Sequence, residues 1–198
     1  MTTSESARLA RGRPMPPGFV PELSVEGTTR DAGRQLGAAW RETLELSASQ
    51  LQNGSKPWWK HRPYAKLIDR YAPHLPDLYL GLAKGANLKE NLISIRAPVE
   101  VGGCTSFAIT PGATLDGRPL SGQTKDVSSS RAMQFVVLRL KLTDGAASAL
   151  TLTYQGQLFG YGFVSGGCAV FRNSLYTGDT GGTMPYEVWG LLALHCPI

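Results

Sequence analysis

The sequence predicts an α+β fold, with helices in the first half of the chain and an antiparallel meander in the second. Three observations lead to this prediction. Apolar residues follow helical spacing before Gly102-Gly103, short runs of β-forming residues separated by turn signals follow it, and the apolar stretch 185–196 has a proline in its first turn. At 198 residues, 42% hydrophobic and 18% charged, the chain is typical of a globular domain. The element order indicates helices layered on a sheet.

The first half begins with a short strand that ends in a turn. Gly27-Thr28 marks this turn, and Thr28 with Asp31 predicts an N-cap followed by an acidic first helical turn. Prolines separate the later helices, and Gly85 is predicted to be a C-cap. In order, the expected elements are a strand over 19–26 and helices over 29–50, 63–71, 76–85 and 87–96.

Turn signals divide the second half into strands. Leu115-Asp116-Gly117-Arg118 predicts a hairpin turn, and Thr143-Asp144-Gly145 predicts another. The glycine-rich stretch 160–167 is interpreted as a link, because its spacing matches neither dinucleotide-binding nor P-loop motifs. The expected strands cover 104–110, 120–127, 133–142, 149–155 and 168–175, and a helix over 185–196 follows them.

The chain is basic, with a formal charge of +5 and a pI of about 9.2. This balance favours anionic partners such as phosphate groups, coenzymes or nucleic acid, without choosing among them. Residues 1–18 are polar, basic and proline-rich, so they are predicted to be a disordered arm and not a secretory signal. A cytoplasmic location is expected. No apolar run reaches the ~20 residues of a membrane span.

The stretch from Lys56 to Tyr64 interleaves basic and aromatic residues, including Trp58 and Trp59. Such a stretch fits single-stranded nucleic acid, whose bases stack on aromatic rings, or the phosphates of coenzyme A. It also fits a surface corner between helices, where tryptophans pack inward and lysines stay solvated. Because no nucleic-acid-binding signature accompanies the stretch, the sequence favours the corner and argues against nucleic acid.

The cysteines and histidines exclude two kinds of site. Cys104, Cys168 and Cys196 have no paired spacing, which argues against a disulfide framework. With three histidines and no CxxC motif, the sequence predicts no metal site. A thiol-protease dyad of Cys104 with His195 is a weak alternative, since a single histidine on an apolar helix more often serves packing.

The local sequence Gly102-Gly103-Cys104-Thr105 is the main chemical candidate. Two glycines permit backbone conformations in which a thiol can attack the carbonyl group just ahead of it. Attack by Cys104 on Gly103 would give a thioester, and hydrolysis would free the α-amine of Cys104. With a pKa of ~7.7–8.0, that amine can then act as base for its own thiol. The alternative is that Cys104 is a small buried core residue.

From Gly27 to Asn173 the sequence resembles the isopenicillin N acyltransferase-like family of N-terminal-nucleophile (Ntn) hydrolases, which includes acyl-coenzyme A:6-aminopenicillanate acyltransferase. The shared order of several motifs carries the resemblance. The matching stretches are Gly27-Thr28 with Gly33 and Gly37, Leu82 to Leu88, Gly103-Cys104-Thr105, Gly122-Gln123 with Asp126, and Gly162 to Gly167 followed by Asn173-Ser174-Leu175.

The resemblance implies Ntn αββα layers with antiparallel sheets and a precursor that cuts itself between Gly103 and Cys104. It implies a cysteine nucleophile that carries acyl groups as thioesters, with an amide or acyl-coenzyme A as donor, an amine or water as acceptor, and no cofactor. The implied roles are a positioning carboxylate at Asp126, an oxyanion donor at Asn173, assistance to self-cleavage from Thr105, and contact with substrate at Gln123 and Phe163.

The departures from the family pattern bear on activity. Thr124 and Val164 stand where the family has Asn, and family members run well beyond 198 residues. The expected division is therefore an arm over 1–18, a helical leading segment over 19–103 and an incomplete catalytic segment over 104–198, with the two segments remaining associated after the cut. A catalytically inert fragment is the first alternative, and a basic nucleic-acid-binding module is the second.

Overall fold

The computed structural model describes residues 19–51, 56–95, 103–146, 148–158, 160–166, 168–173, 184 and 186–196. The predicted arm over 1–18 lies outside the described residues. The helices are α1 Thr29–Ala39, α2 Arg41–Ser49, α3 Arg62–Tyr71, α4 Leu75–Ala86, α5 Ser129–Ala132 and α6 Tyr186–His195. The strands are β1 Glu22–Gly27, β2 Cys104–Ile109, β3 Leu120–Lys125, β4 Phe135–Leu142, β5 Ala149–Tyr154, β6 Gly160–Val164 and β7 Cys168–Val170. The predicted α+β class is confirmed.

The strands of the described chain form two sheets. Five strands have the order β1-β4-β5-β6-β7, and β2 pairs with β3 in a separate hairpin. The pairs from β4 to β7 are antiparallel, which confirms the predicted meander for these four strands but not for β2 and β3. Strand β1 joins β4 in parallel. The expectation of antiparallel pairing throughout is wrong at this edge.

One side of the five-stranded sheet packs on helices. Along β4, Val136, Leu138 and Leu140 are buried, while the alternate residues Arg139 and Lys141 are exposed. The buried side chains belong to one core with residues of α1, α4 and α6. On the opposite side of the sheet lies the β2–β3 hairpin. None of the helices in the described ranges is long and apolar enough to cross a membrane.

Helices α1 and α4 are in backbone contact through four glycines. A Cβ atom on Gly37 would lie 2.1 Å from the carbonyl oxygen of Leu82, and one on Gly85 would lie 2.1 Å from that of Arg34. Gly33 and Gly81 make the same kind of contact one turn earlier. The Gly85 C-cap prediction is therefore wrong: this glycine lies inside α4 because only hydrogen fits between the helices.

Two helix predictions need correction. The single helix expected over 29–50 is divided at Trp40, whose backbone (φ −107°, ψ 17°) leaves helical geometry while its side chain enters the core. The helix expected over 87–96 is absent from its described part. Asn87, at φ 60°, ends α4 in a left-handed conformation, and a short 3₁₀ turn follows at Glu90–Leu92.

The interpretation of 160–167 as a link is also wrong, because β6 occupies Gly160–Val164. Glycine weakens strands in general, yet a Cβ atom on Gly162 would lie 2.0 Å from the carbonyl oxygen of Leu150. The glycines thus allow β6 to approach β5 closely. The remaining predicted strands and the last helix agree with the structure within a few residues where it describes them.

Candidate active site at the start of strand β2

Cys104 is the first residue of β2 and is half-buried. It pairs with Lys125 of β3, and Ser106 pairs with Gln123. Alternate residues of a strand share a face, and directly paired residues of an antiparallel ladder lie on the same face. Cys104, Ser106, Gln123 and Lys125 therefore share one face of the hairpin.

Asp126 contacts the peptide unit that precedes Cys104. Its backbone N–H donates a 2.9 Å hydrogen bond to the carbonyl oxygen of Gly103. Its carboxylate lies against the Cα atom of Gly103, where an added Cβ would be 2.6 Å from Oδ2. The structure thus brings Asp126 to the predicted cleavage site through both its main chain and its side chain.

Gln123 joins the hairpin to the segment after β7. Its Nε2 donates to the carbonyl oxygen of Arg172 and to Oδ1 of Asn173, and its Oε1 accepts from the N–H of Arg172. Asn173 Nδ2 in turn donates a 2.8 Å hydrogen bond to Oγ of Ser106. Ser106 is about 7 Å along the strand from Cys104. Asn173, the predicted oxyanion donor, therefore lies on the same face of the hairpin as Cys104, but its amide is bonded to Ser106 and not to Cys104.

Arg172, which the sequence analysis missed, anchors this segment to helix α6. Its guanidinium donates a 2.9 Å hydrogen bond to the hydroxyl group of Tyr161 and lies 4.1 Å from the ring centroid of Tyr186. Burial opposes the charged form, but the tyrosine hydroxyl groups more than offset it, so the pKa of Arg172 is raised. The only sequence signal was its position beside Asn173.

A cavity of about 310 Å³ lies between the hairpin and the five-stranded sheet. Gln123 and Lys125 line it from the hairpin, and Phe163 lines it from β6. Phe163 is 48% exposed and packs edge to face on Phe171, with ring centroids 6.0 Å apart. The remaining walls are mostly apolar and comprise Ser121, Gly122, Val137, Leu150, Thr151, Leu152, Tyr161 and Gly162.

Thr105 lies on the other face of the hairpin. Its N–H donates to Oγ1 of Thr124, the residue at a position where the family pattern has Asn. Strand alternation places its side chain on the face of Gly103 and the Asp126 carboxylate, opposite the side chain of Cys104, and its assisting role in self-cleavage stays a prediction. Phe107, on the same outer face, is 51% exposed and covers Gly122.

The other cysteines and histidines occupy different surroundings. Cys104, Cys168 and Cys196 are free thiols. His195 is 1% exposed and its Nδ1 lies 3.2 Å from Nε2 of His74, so the structure gives its ring a histidine partner in the core. Among the described residues no group of three or more His, Cys, Asp or Glu is arranged to hold a metal ion.

The basic and aromatic stretch forms the expected surface corner. Trp59 is 3% exposed, and Trp58 packs edge to face on Tyr79 with centroids 5.1 Å apart. Lys60 and Arg62 remain exposed. Because the indole rings are part of the helical core, they offer no free platform on which nucleic-acid bases can stack.

A comparison with models of known protein families finds no match to this chain. A search of curated proteins gives no significant match either.

Proposed function

We propose that the chain is the precursor of a cysteine N-terminal-nucleophile amidohydrolase or acyltransferase that releases Cys104 as a new N-terminus. One observation carries the proposal. Cys104 begins a strand on the face that adjoins an apolar cavity, while the preceding carbonyl group is held by Asp126. An Ntn-type αββα arrangement is part of the proposal.

Self-cleavage proceeds in two steps, formation of a thioester and its hydrolysis. The Cys104 sulfur attacks the Gly103 carbonyl carbon, the C–N bond breaks, and the thiol proton goes to the departing amine. Water then adds to the thioester, the C–S bond breaks, and the sulfur regains a proton. The products are a carboxylate at Gly103 and a free α-amine and thiol at Cys104. Both Gly103 and Asp126 are exposed, so water reaches this bond.

Acyl transfer uses the same sulfur. The α-amine takes the thiol proton, the thiolate attacks the acyl carbonyl of an amide or acyl-coenzyme A, and the donor's amine or thiol leaves with that proton. Amine or water resolves the thioester. Asn173 Nδ2 is the candidate oxyanion donor, held near the hairpin by Gln123, and it must leave Ser106 to reach the reacting oxygen.

The cavity favours an apolar acyl group. Leu150, Leu152 and Phe163 present hydrocarbon and aromatic surface, whereas Gln123 and Lys125 form the polar side nearest the nucleophile. An acyl chain bound among the apolar walls gains roughly 0.8 kcal/mol for each buried methylene group. A small polar acyl group would leave these apolar walls in contact with water.

A catalytically inert fold is the second candidate, and one observation favours it. The β2–β3 hairpin pairs with no other strand in the described chain, and none of its strand residues is fully buried. Isolated two-stranded hairpins are marginally stable in water, so Cys104 would not be held rigidly without further packing.

The test is N-terminal sequencing and mass analysis of the purified full-length chain. The expected result is a fragment that begins at Cys104, lost in the Cys104→Ala variant. Cys168→Ala is the matched control because Cys168 is another half-buried thiol that begins a strand. An intact chain, or a fragment that persists in Cys104→Ala, contradicts the proposal and supports the inert fold.

A further inference from the structure

The hydrogen bond between Asp126 and Gly103 has a chemical role of its own if the proposed self-cleavage occurs. Gly103 and Asp126 extend the β2–β3 ladder by one pair beyond Cys104 and Lys125. The donor therefore belongs to a sheet that is formed before any reaction. Resting on the proposed function, we infer that the backbone N–H of Asp126 is the oxyanion donor for cleavage of the Gly103–Cys104 bond.

The geometry fits this role. When sulfur attacks Gly103, negative charge develops on the carbonyl oxygen that already accepts the Asp126 N–H at 2.9 Å. Oxyanion donors act at about 2.7–3.1 Å, and a donor fixed in advance needs no reorganisation during the step. The hydrogen bond strengthens as the oxygen becomes charged, so it favours the tetrahedral intermediate over the intact peptide.

The Asp126 side chain uses the space that glycine leaves at position 103. Its Oδ2 atom would lie 2.6 Å from a Cβ at that position, closer than real Cβ atoms come to other atoms. Because this oxygen is the end of an exposed side chain, alanine at position 103 would displace the carboxylate by rotation and leave the backbone hydrogen bond in place. Gly103 therefore keeps the carboxylate beside the bond that is cut.

The main chain and the carboxylate of Asp126 act at different stages. Strand alternation places the carboxylate on the Gly103 side of the ladder, opposite the face of the Cys104 side chain. In the precursor the N–H acts on the scissile carbonyl. After cleavage the Cys104 amine is released close to the carboxylate, which can hold it as the resemblance implies.

The test removes the N–H and leaves the side chain. In the full-length chain, the amide at Asp126 is replaced by an ester through the corresponding α-hydroxy acid, and cleavage is followed by mass analysis. Loss of one oxyanion donor is expected to slow cleavage by about 10²- to 10³-fold. The same ester at Gly122, which lies within β3, controls for a weaker hairpin and is expected to cleave much faster than the Asp126 ester.

The role of the space at position 103 is tested by Gly103→Ala, which displaces the carboxylate but keeps the N–H donor, so it is expected to slow cleavage far less than the Asp126 ester. Gly112→Ala is its control, because an added Cβ there meets nothing within 4 Å. If the wild-type chain cleaves and the Asp126 ester cleaves at the same rate or no slower than the Gly122 ester, the inference is overturned and the proposed function stands. If cleavage does not depend on Cys104, the proposed function fails, and the inference with it.

Discussion

Thr29 and Asp144 lie 115 residues apart in the chain, yet two hydrogen bonds join them. The Asp144 carboxylate, in the turn between β4 and β5, accepts from the N–H of Thr29 at 2.6 Å and from its hydroxyl group at 2.9 Å. A residue of the second half thus caps the first helix of the leading segment. Although burial opposes its charge, the hydrogen bonds from Thr29 lower the pKa of Asp144.

Removal of this cap is expected to destabilise the fold. Asp144→Ala leaves the first N–H of α1 unpaired, and loss of a helix cap costs about 0.5–2 kcal/mol. The measurement is the free energy of unfolding from a urea titration. Asp69→Ala, which removes an exposed carboxylate from α3, is expected to change that free energy by less than about 0.5 kcal/mol. Equal effects of the two substitutions would show that Asp144 has no capping role.

The contact between α1 and α4 predicts that Gly37→Ala destabilises the fold, which is opposite to the effect expected from helix propensity. Alanine normally stabilises a helix interior by roughly 0.5–1 kcal/mol relative to glycine. At Gly37, however, the added methyl group would lie 2.1 Å from a backbone oxygen, so overpacking should destabilise the fold by about 1–3 kcal/mol or more. Comparing thermal unfolding of Gly37→Ala with that of Gly112→Ala checks this; a stabilised Gly37→Ala variant would refute the close approach.

The contact between half-buried His74 and buried His195 predicts acid sensitivity. Burial, with a smaller effect of His74, lowers the pKa of His195 to about 3, and burial also lowers the pKa of His74. The unfolded chain takes up these protons near pH 6.5 and the folded chain only at lower pH, so stability should fall as pH drops below about 6.5. For His195 the slope approaches about 1.4 kcal/mol per pH unit.

Urea unfolding of the wild type and of His195→Gln, measured between about pH 4.5 and about pH 7.5, tests this dependence. The pH dependence should become shallower in His195→Gln. His61 is exposed, so His61→Gln is the control that should keep the wild-type slope. An unchanged slope in His195→Gln would mean that the buried ring is not the source.

The cavity predicts a preference among acyl donors. Phe163→Ala removes apolar surface from the cavity wall, so acylation of Cys104 by octanoyl thioesters should fall by about tenfold, while acetyl thioesters should react almost unchanged. Mass analysis of the labelled cysteine gives both rates. Phe107→Ala is the matched control, since Phe107 is equally exposed but lies on the outer face of the hairpin. Loss of octanoyl selectivity in both variants would place the acyl site elsewhere.

Most helices and strands could be predicted because their signals, apolar spacing and turn residues, lie within the element itself or directly beside it. Helical spacing predicted the helix over 29–50, prolines separated the later helices, and Asp116-Gly117 and Asp144-Gly145 marked turns in which Gly117 and Gly145 have positive φ. Strand β6 was missed because Gly160 and Gly162 reduce β-propensity, and their compatibility with a strand depends on the facing backbone of β5. The break at Trp40 follows from core packing, which periodicity does not reveal.

In the candidate site, too, relationships between residues adjacent in sequence could be predicted, whereas contacts between distant residues could not. Gly103 and Cys104 are adjacent in sequence, so their joint role could be proposed from the chain alone. The approach of Asp126 to Gly103 depends on the register of β2 with β3, which the turn at Gly117 helps to set. Arg172 was missed because its partners Tyr161 and Tyr186 come from other elements and have no sequence pattern in common.

A further prediction concerns the protein after the proposed cut. Strand β1 precedes the proposed cleavage site and β4 follows it, and their six residue pairs are accompanied by ion pairs of Glu22 with Arg139 and Glu26 with Lys141. The two pieces should therefore elute together in gel filtration and separate only in denaturant. Separation under native conditions would contradict this.

The parallel pairing of β1 with β4 also affects how the protein refolds after denaturation. Before the cut, recovery of the edge strand is an event within one molecule and does not depend on concentration. After the cut, the same strand must be captured from solution by a second polypeptide, so renaturation becomes bimolecular and slows on dilution. After cleavage, therefore, an unfolded protein would refold less readily than the uncut precursor folds.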